Sequence, residues 1–121
     1  MARILLADDD KATRDLVRRA LELDGHEVIA VEDGSEAWTA FEAAPATFHL
    51  IITDVEMPGT DGVTLAKNAL AASPTIKVLM MSGFTEALER GRWLGPARFG
   101  VLAKPFTLEQ IRRSIKTVLE S

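Results

Sequence analysis

Short apolar runs that alternate with helical patterns are the feature that most limits how this chain can fold. Five such runs, at residues 3–7, 27–31, 48–53, 76–81 and 99–103, are bounded by turn residues and are predicted to be β-strands. The third run is almost continuously apolar, which is typical of a strand buried on both faces of a parallel sheet. Strands alternating with helices predict an α/β fold, with a doubly wound, five-stranded parallel sheet and right-handed crossovers.

Apolar spacing and capping residues define the first three predicted helices. Residues 11–24 form an amphipathic helix that is expected to end at Gly25. Its apolar face comprises Leu16, Val17, Ala20, Leu21 and Leu23. Ser35 is predicted to cap a second helix. The inward side of that helix carries Ala37, Trp38 and Phe41. A third helix is predicted over residues 63–72.

The remaining helical segments differ in how clearly they are marked. Residues 86–98 begin with helical spacing, but Gly91 and Gly95-Pro96 interrupt it, so the fourth helix is predicted to be short or irregular. The last helix is predicted to begin at Thr107, where Gln110 completes a capping box.

Composition agrees with one ordinary globular domain, and we expect residues 1–121 to form it. Hydrophobic residues make up 47% and charged residues 26%, which argues against disorder. A net charge of −4 offers no basic surface for DNA. The absence of cysteine excludes disulfides and thiol catalysis. The run 48–53 is too short to span a membrane and no secretory segment is apparent, so a cytoplasmic protein is expected.

Charged and polar side chains follow four of the predicted strands. In chain order they are Asp8, Asp9, Asp10, Asp54, Ser82 and Lys104. In open α/β sheets the functional site lies beyond the carboxyl ends of the strands, so these residues are expected at one edge. Asp10 is expected to serve only the start of the first helix. Neighbouring carboxylates raise one another's pKa unless a cation joins them, and Mg²⁺ suits such a site when it awaits a phosphate.

The loop after the first strand argues against direct nucleotide binding. Sheets of this class that bind a bare phosphate use a loop of backbone N–H donors, whereas three successive acids occupy that position here. The chain also has neither a dinucleotide-binding glycine motif nor a Walker A motif. Phosphate is therefore expected to bind only together with a cation.

These residues, with their neighbours, resemble the receiver domain of two-component response regulators. The resemblance covers the whole chain, and its motifs are Asp8-Asp9, Asp54 within TDVEMPGTDG, Ser82-Gly83, and Lys104-Pro105-Phe106. It implies a CheY-like, flavodoxin-like fold. It also implies a phosphoryl-accepting interaction module rather than an enzyme, although the module would assist its own phosphorylation and dephosphorylation.

The resemblance also assigns roles to the acids. Asp54 would accept a phosphoryl group from a histidine kinase or a histidine phosphotransferase, and would contribute to the Mg²⁺ site. Asp9 would bind Mg²⁺ directly and Asp8 would assist through water. The main-chain carbonyl of Glu56 would be a further ligand. A carboxylate can make such an aspartyl-phosphate by nucleophilic attack.

The remaining implied roles concern the phosphoryl group and the output of the switch. Lys104 would pair with the phosphoryl group, and the Lys104–Pro105 bond is expected to be cis. Ser82 would hydrogen-bond a phosphoryl oxygen and report its presence. Val101 replaces the aromatic residue that the family usually keeps three positions before the lysine. We therefore expect an altered output face, and a segment 84–99 that is mobile until phosphorylation or a partner orders it.

A narrower resemblance is to single-domain regulators of the CpdR type. It is carried by the short runs at residues 2–7, 25–28, 82–84 and 101–106. It implies an adaptor that delivers substrates to an AAA+ protease while unphosphorylated.

Two alternatives remain open from the sequence. An apolar strand followed by three acids also contains the D-x-D pattern of haloacid dehalogenase-type phosphatases, which depend on Mg²⁺. In that class the nucleophile would follow the first strand instead of the third. The other alternative is a degenerate receiver that binds a partner without being phosphorylated, which the complete set of Asp9, Asp54, Ser82 and Lys104 argues against.

Overall fold

In the computed structural model, which describes residues 2–83 and 98–120, five strands form one parallel sheet in the order β2-β1-β3-β4-β5. The strands are β1 (Arg3–Ala7), β2 (Glu27–Val31), β3 (Leu50–Asp54), β4 (Lys77–Ser82) and β5 (Phe99–Ala103). The helices are α1 (Lys11–Leu23), α2 (Gly34–Ala43), α3 (Gly62–Ala72) and α4 (Leu108–Leu119), with a 3₁₀ turn at Pro45–Thr47. The predicted doubly wound α/β sheet is confirmed.

The central strands are buried on both faces because helices cover each side of the sheet. One layer packs α2 and α3 against alternate strand residues; its fully buried members include Leu5, Ile51, Met80, Phe41 and Leu65. The other packs α1 and α4 against the intervening residues; its fully buried members include Ile4, Leu6, Ile52, Val17 and Ile111. Each such side chain contributes roughly 1.5–3 kcal/mol, so the sheet is a rigid platform for whatever lies at its edges.

Strands β3 and β4 extend further toward their carboxyl ends than the apolar runs predict. Asp54 is the last residue of β3 and pairs with Met81, while Ser82 is the last residue of β4 and pairs with Ala103. The prediction ended both strands one residue too early, because a polar residue at a strand end breaks the apolar pattern without breaking the hydrogen-bond ladder. Both polar residues are therefore held by the sheet instead of by loops.

The exposed side of α1 is wider than its sequence indicates. Val17, Ala20 and Leu21 are buried as predicted, but Leu16 is 37% exposed and Leu23 is 61% exposed. At 100° per residue, Leu16 and Leu23 fall on one flank of the stripe centred on the three buried residues, outside the sector that faces the sheet. The helix ends as predicted: Gly25 N–H donates to the Glu22 carbonyl and His26 N–H donates to the Leu21 carbonyl.

The start of α2 corrects one prediction. Asp33, not Ser35, caps this helix, with its carboxylate accepting a hydrogen bond from the Glu36 N–H at 2.8 Å. A Cβ on Gly34 would lie 1.6 Å from the Thr60 carbonyl oxygen, so only glycine allows the loop after β3 to pack this closely. The start of α2 thereby supports the loop that follows Asp54.

The capping box of Thr107 and Gln110 is present at the start of α4. Ile111, Ile115 and Val118 of that helix are buried, as predicted. Among the described residues, no helix is long and apolar enough to cross a membrane. The predictions of an irregular fourth helix over residues 86–98 and of a mobile segment over residues 84–99 concern mainly residues 84–97, which lie outside the described residues; Phe99 is the first residue of β5.

Candidate functional site

Three carboxylates meet at the carboxyl edge of the sheet. Asp8 and Asp9 follow β1 directly and Asp54 ends β3, next to β1 in the sheet. One carboxylate oxygen from each of the three lies within 4.8 Å of the other two. Asp8 is fully buried and Asp54 nearly so, whereas Asp9 is exposed. The cluster therefore reaches solvent on the side of Asp9, and its oxygens are spaced closely enough to share one divalent cation.

Lys104 supplies the positive charge that faces the cluster. Its ammonium lies 3.0 Å from Asp54 Oδ2 and 3.5 Å from Asp8 Oδ2. The main chain of Lys104 is fixed as well, because its N–H donates to the Ser82 carbonyl at 3.0 Å. The Lys104–Pro105 peptide bond is cis, as expected. One ammonium against three carboxylates leaves the site with an excess of negative charge.

The pKa values of the buried groups reflect this imbalance. Burial raises the pKa of Asp8, despite opposing hydrogen bonds from the Asp10 N–H and from Lys104. Burial, together with the charges of Asp8 and Glu56, also raises the pKa of Asp54, against the hydrogen bond and ion pair with Lys104. For Lys104, burial alone would lower the pKa, but the hydrogen bond with Asp54 and the charges of both carboxylates raise it. The lysine stays charged, and an added cation would relieve the repulsion among the acids.

Asp10 belongs to the start of α1. Its carboxylate accepts hydrogen bonds from the N–H and the hydroxyl of Thr13, and these bonds lower its pKa. The Asp10 N–H donates to Asp8 Oδ1 at 2.9 Å. Asp10 therefore caps the helix, as expected, but its N–H also holds the neighbouring Asp8 side chain, so the helix start is not its only role.

Ser82 and Glu56 contact each other beside the cluster. The buried Ser82 hydroxyl donates toward Glu56 Oε1 at 3.2 Å and Oε2 at 3.3 Å. The sequence predicts a role only for the main-chain carbonyl of Glu56, so this side-chain contact was missed. The only indication of this contact in the sequence is that Glu56 lies two positions after Asp54.

The loop after Asp54 is held close to the cluster by main-chain contacts. Val55 N–H donates to the Met81 carbonyl at 3.0 Å, and Gly62 N–H donates to the Val55 carbonyl at 2.8 Å. A Cβ at Gly62 would lie 2.1 Å from the Asp54 carbonyl oxygen, so glycine is required for this close return of the chain. Glu56 is therefore positioned by a compact loop anchored to β4.

No motif or spacing in the sequence predicts a role for Arg14, which lies in the first turn of α1. Its guanidinium Nη1 donates to the Asp8 carbonyl oxygen at 2.8 Å. Its Nη2 lies 3.7 Å from Glu32 Oε1, beyond the end of β2. The spacing of residues along the sequence does not reveal a long-range contact of this kind.

Comparison with known proteins agrees with this geometry. The sequence model of the family described as "Response regulator receiver domain" matches residues 4–116. The chain belongs to the response regulator receiver family. It is therefore a phosphoryl-accepting module of two-component signalling, and this assignment favours a receiver over a phosphatase of the haloacid dehalogenase type.

Among curated relatives, the chain is 34% identical to the response regulator receiver protein CpdR of Brucella abortus (strain 2308), over 98% of each chain. It is also 34% identical to the sensor kinase CckA of the same organism, over 98% of this chain but 13% of that protein. The solved structure of the Vibrio cholerae chemotaxis protein CheY4 superposes with a TM-score of 0.85, at 32% identity and 98% coverage of both chains. The CheY-like fold implied by the sequence is confirmed.

The structure brings Asp8, Asp9, Asp54 and Lys104 into one cluster, with the Ser82–Glu56 pair beside it. Receiver domains generally bind Mg²⁺ through acidic residues, and these oxygen donors fit that cation. Val101, where the family usually has an aromatic residue, is an exposed aliphatic residue on β5.

Proposed function

We propose that this receiver accepts a phosphoryl group on Asp54, with Mg²⁺ held by Asp8, Asp9, Asp54 and the main-chain carbonyl of Glu56. The observation that carries the proposal is the position of the Asp54 carboxylate. It is nearly buried at the end of a central strand, 3.0 Å from an ammonium and beside two further acids. Buried carboxylates crowded by like charges beside a lysine are concentrated at functional sites.

The chemistry follows from this arrangement. A carboxylate oxygen of Asp54 attacks phosphorus and forms an acyl phosphate, while the bond from phosphorus to the donor breaks and the donor keeps its electron pair. Bound Mg²⁺ would offset the negative charge of the transferring group. Lys104 is already within hydrogen-bond distance of Asp54 and remains protonated, so it can donate a hydrogen bond to the new phosphoryl oxygens.

Ser82 connects this reaction to a change of shape. Phosphorylation adds about −1.5 to −2 charge and three strong acceptor oxygens. The Ser82 hydroxyl would leave the Glu56 carboxylate for one of these oxygens. Because Ser82 ends β4, that movement alters the exit of the chain from the sheet.

The partners follow from the family and from its relatives. The donor is proposed to be a histidine kinase or a histidine phosphotransferase. The relative CckA is itself a sensor kinase that contains a matching region. Similarity to CpdR over 98% of both chains supports residues 1–121 as one receiver domain, whose output is a protein contact. Following the narrower resemblance, that contact is proposed to be with an AAA+ protease system and to form in the unphosphorylated state.

The test is incubation with acetyl phosphate and Mg²⁺, followed by intact mass measurement. The wild type is expected to gain one phosphoryl group and Asp54→Asn none, while Asp15→Asn, an exposed acid on α1, should behave as wild type. Uptake at another residue would contradict the proposal. Steady hydrolysis that depends on Asp8 would instead support the phosphatase. A pull-down with wild type, Asp54→Ala and beryllofluoride-loaded protein would then show which state binds the target.

A further inference from the structure

Arg14 is unusually enclosed for a residue on an otherwise polar helix side. Its side chain is 13% exposed, although Glu32, its ion-pair partner, is 74% exposed. The short contact is with main chain, from Nη1 to the Asp8 carbonyl oxygen at 2.8 Å. A guanidinium is seldom buried to this extent without a specific acceptor, and here that acceptor is a carbonyl of the acidic loop.

Two hydrogen bonds hold Asp8 from opposite sides. Its N–H donates to the Val31 carbonyl at 3.3 Å, and its carbonyl accepts from Arg14. That carbonyl belongs to the peptide joining Asp8 to Asp9, so Arg14 fixes the plane from which Asp9 continues. The Asp8 carboxylate has anchors of its own, at the Asp10 N–H and Lys104. The exposed Asp9 side chain is not held in place by burial, so its direction depends more on the orientation of this peptide.

We propose that Arg14 is a positioning residue for the cation site. By holding the Asp8 carbonyl, it directs the Asp9 carboxylate toward the point where the oxygens of Asp8 and Asp54 converge. The inference rests on the proposed function, because it requires Mg²⁺ to bind this cluster. Removing a group that orients a metal ligand through hydrogen bonds typically changes metal affinity by about 10- to 100-fold.

The direction of the change in Mg²⁺ affinity distinguishes a positioning role of Arg14 from an effect of its charge alone. Arg14 is a cation next to a cation site, so its removal should tighten Mg²⁺ binding if charge alone mattered. Loss of positioning has the opposite sign, because Asp9 no longer points at the ion. Arg18 is a matched control: it lies one turn further along α1, is half-exposed and pairs with Glu22.

The experiment measures Mg²⁺ binding by calorimetry, and the rate of phosphorylation by acetyl phosphate as a function of Mg²⁺, for wild type, Arg14→Gln, Arg14→Lys and Arg18→Gln. In Arg14→Gln we expect the Mg²⁺ dissociation constant to rise on the order of tenfold, with the rate at saturating Mg²⁺ changed by less than about twofold. Arg14→Lys keeps the charge and one donor, so it should recover part of the affinity. Arg18→Gln should bind Mg²⁺ as wild type or slightly more tightly.

Unchanged or tighter Mg²⁺ binding in Arg14→Gln would overturn the inference. If that variant does not fold, Arg14→Lys decides the matter: weaker Mg²⁺ binding than in the wild type would support the inference, and wild-type affinity would overturn it. Absence of Mg²⁺ binding in the wild type would instead contradict the proposed function. The two failures are therefore distinguishable.

Discussion

The two ends of the β-sheet treat their polar groups in opposite ways. At the amino end, His26 Nδ1 accepts a hydrogen bond from the Ala2 N–H at 3.0 Å, and His49 Nδ1 accepts one from the Arg3 N–H at 2.9 Å. Arg3 in turn donates to the Thr47 hydroxyl at 2.6 Å. These hydrogen bonds, with the Arg3–Glu27 ion pair at 2.8 Å, join described polar groups of this end to one another.

At the carboxyl end the charges remain unbalanced. Asp8, Asp9 and Asp54 face one ammonium, and burial raises the pKa of both Asp8 and Asp54. The same strands thus join an end that stabilises the fold to an end whose acids cost stability until a cation joins them. The candidate functional site is therefore at the end of the sheet where the charges are unbalanced.

The largest expected effect is at the carboxyl end. Lys104→Met leaves two buried carboxylates without their cation, and we expect the free energy of unfolding to fall by about 2–3 kcal/mol, since the lysine is only partly exposed. Mg²⁺ should restore part of this loss. Urea unfolding with and without Mg²⁺ measures both quantities.

Arg112→Met is the matched control, because it removes a cation from the exposed Asp24 pair at the other end of the sheet. That change should cost less than about 1 kcal/mol and be indifferent to Mg²⁺. Equal losses in the two variants would remove the distinction between the two ends.

An intermediate effect is expected at the amino end, and it depends on pH. Burial lowers the pKa of His26, so below pH 6.5 the unfolded chain binds more protons than the folded one. The contribution of His26 to the free energy of unfolding should therefore be fully present above the ordinary histidine pKa. It should decline as pH falls through the lowered pKa of His26 in the folded protein. His26→Asn keeps an acceptor for the Ala2 N–H but cannot titrate.

Thermal unfolding between pH 7.5 and 5.5 tests this expectation. The wild type should lose roughly 2–4 °C of melting temperature over that range, and His26→Asn clearly less. The same decline in both proteins would show that other groups cause it. Phosphorylation by acetyl phosphate should be equal in the two proteins at pH 7.5, since His26 lies at the end remote from Asp54.

The smallest effect on stability is expected at Glu56. Its side chain is exposed, so Glu56→Ala should change the free energy of unfolding by less than about 0.5 kcal/mol. The substitution removes the carboxylate that the Ser82 hydroxyl contacts, and with it a negative charge close to Asp54. We therefore expect phosphorylation by acetyl phosphate to be about two- to fivefold faster, the equivalent of one modest hydrogen bond.

Glu56→Gln separates the two causes, because it removes the charge and keeps an acceptor for Ser82. A rate between those of wild type and Glu56→Ala is expected, measured by intact mass over time. A slower rate in Glu56→Ala would mean that the carboxylate assists phosphorylation.

The sequence was sufficient to predict which residues meet at the carboxyl edge. Parallel strands with fixed crossover handedness leave little choice about where Asp8, Asp54 and Lys104 lie, although they are far apart along the chain. The capping box of Thr107 with Gln110 was also predictable, because both partners are within one helical turn.

What the sequence could not give depends on contacts between distant elements. Asp33 caps α2 instead of Ser35 because the loop at Thr60 packs against Gly34 and fixes where the helix begins. The contacts of Arg14 with Asp8 and of Glu56 with Ser82 join side chains whose reach and direction no periodicity encodes. In each case tertiary packing selects among several acceptable local choices.

The Lys104 N–H bond to the Ser82 carbonyl constrains how the proposed switch can respond. Lys104 and Ser82 share this main-chain hydrogen bond, so a main-chain movement at Ser82 is passed directly to Lys104. Shapes in which only one of the two has moved are thereby disfavoured. A graded cellular response would then depend on how many copies are modified at a given moment, not on how far each copy has moved.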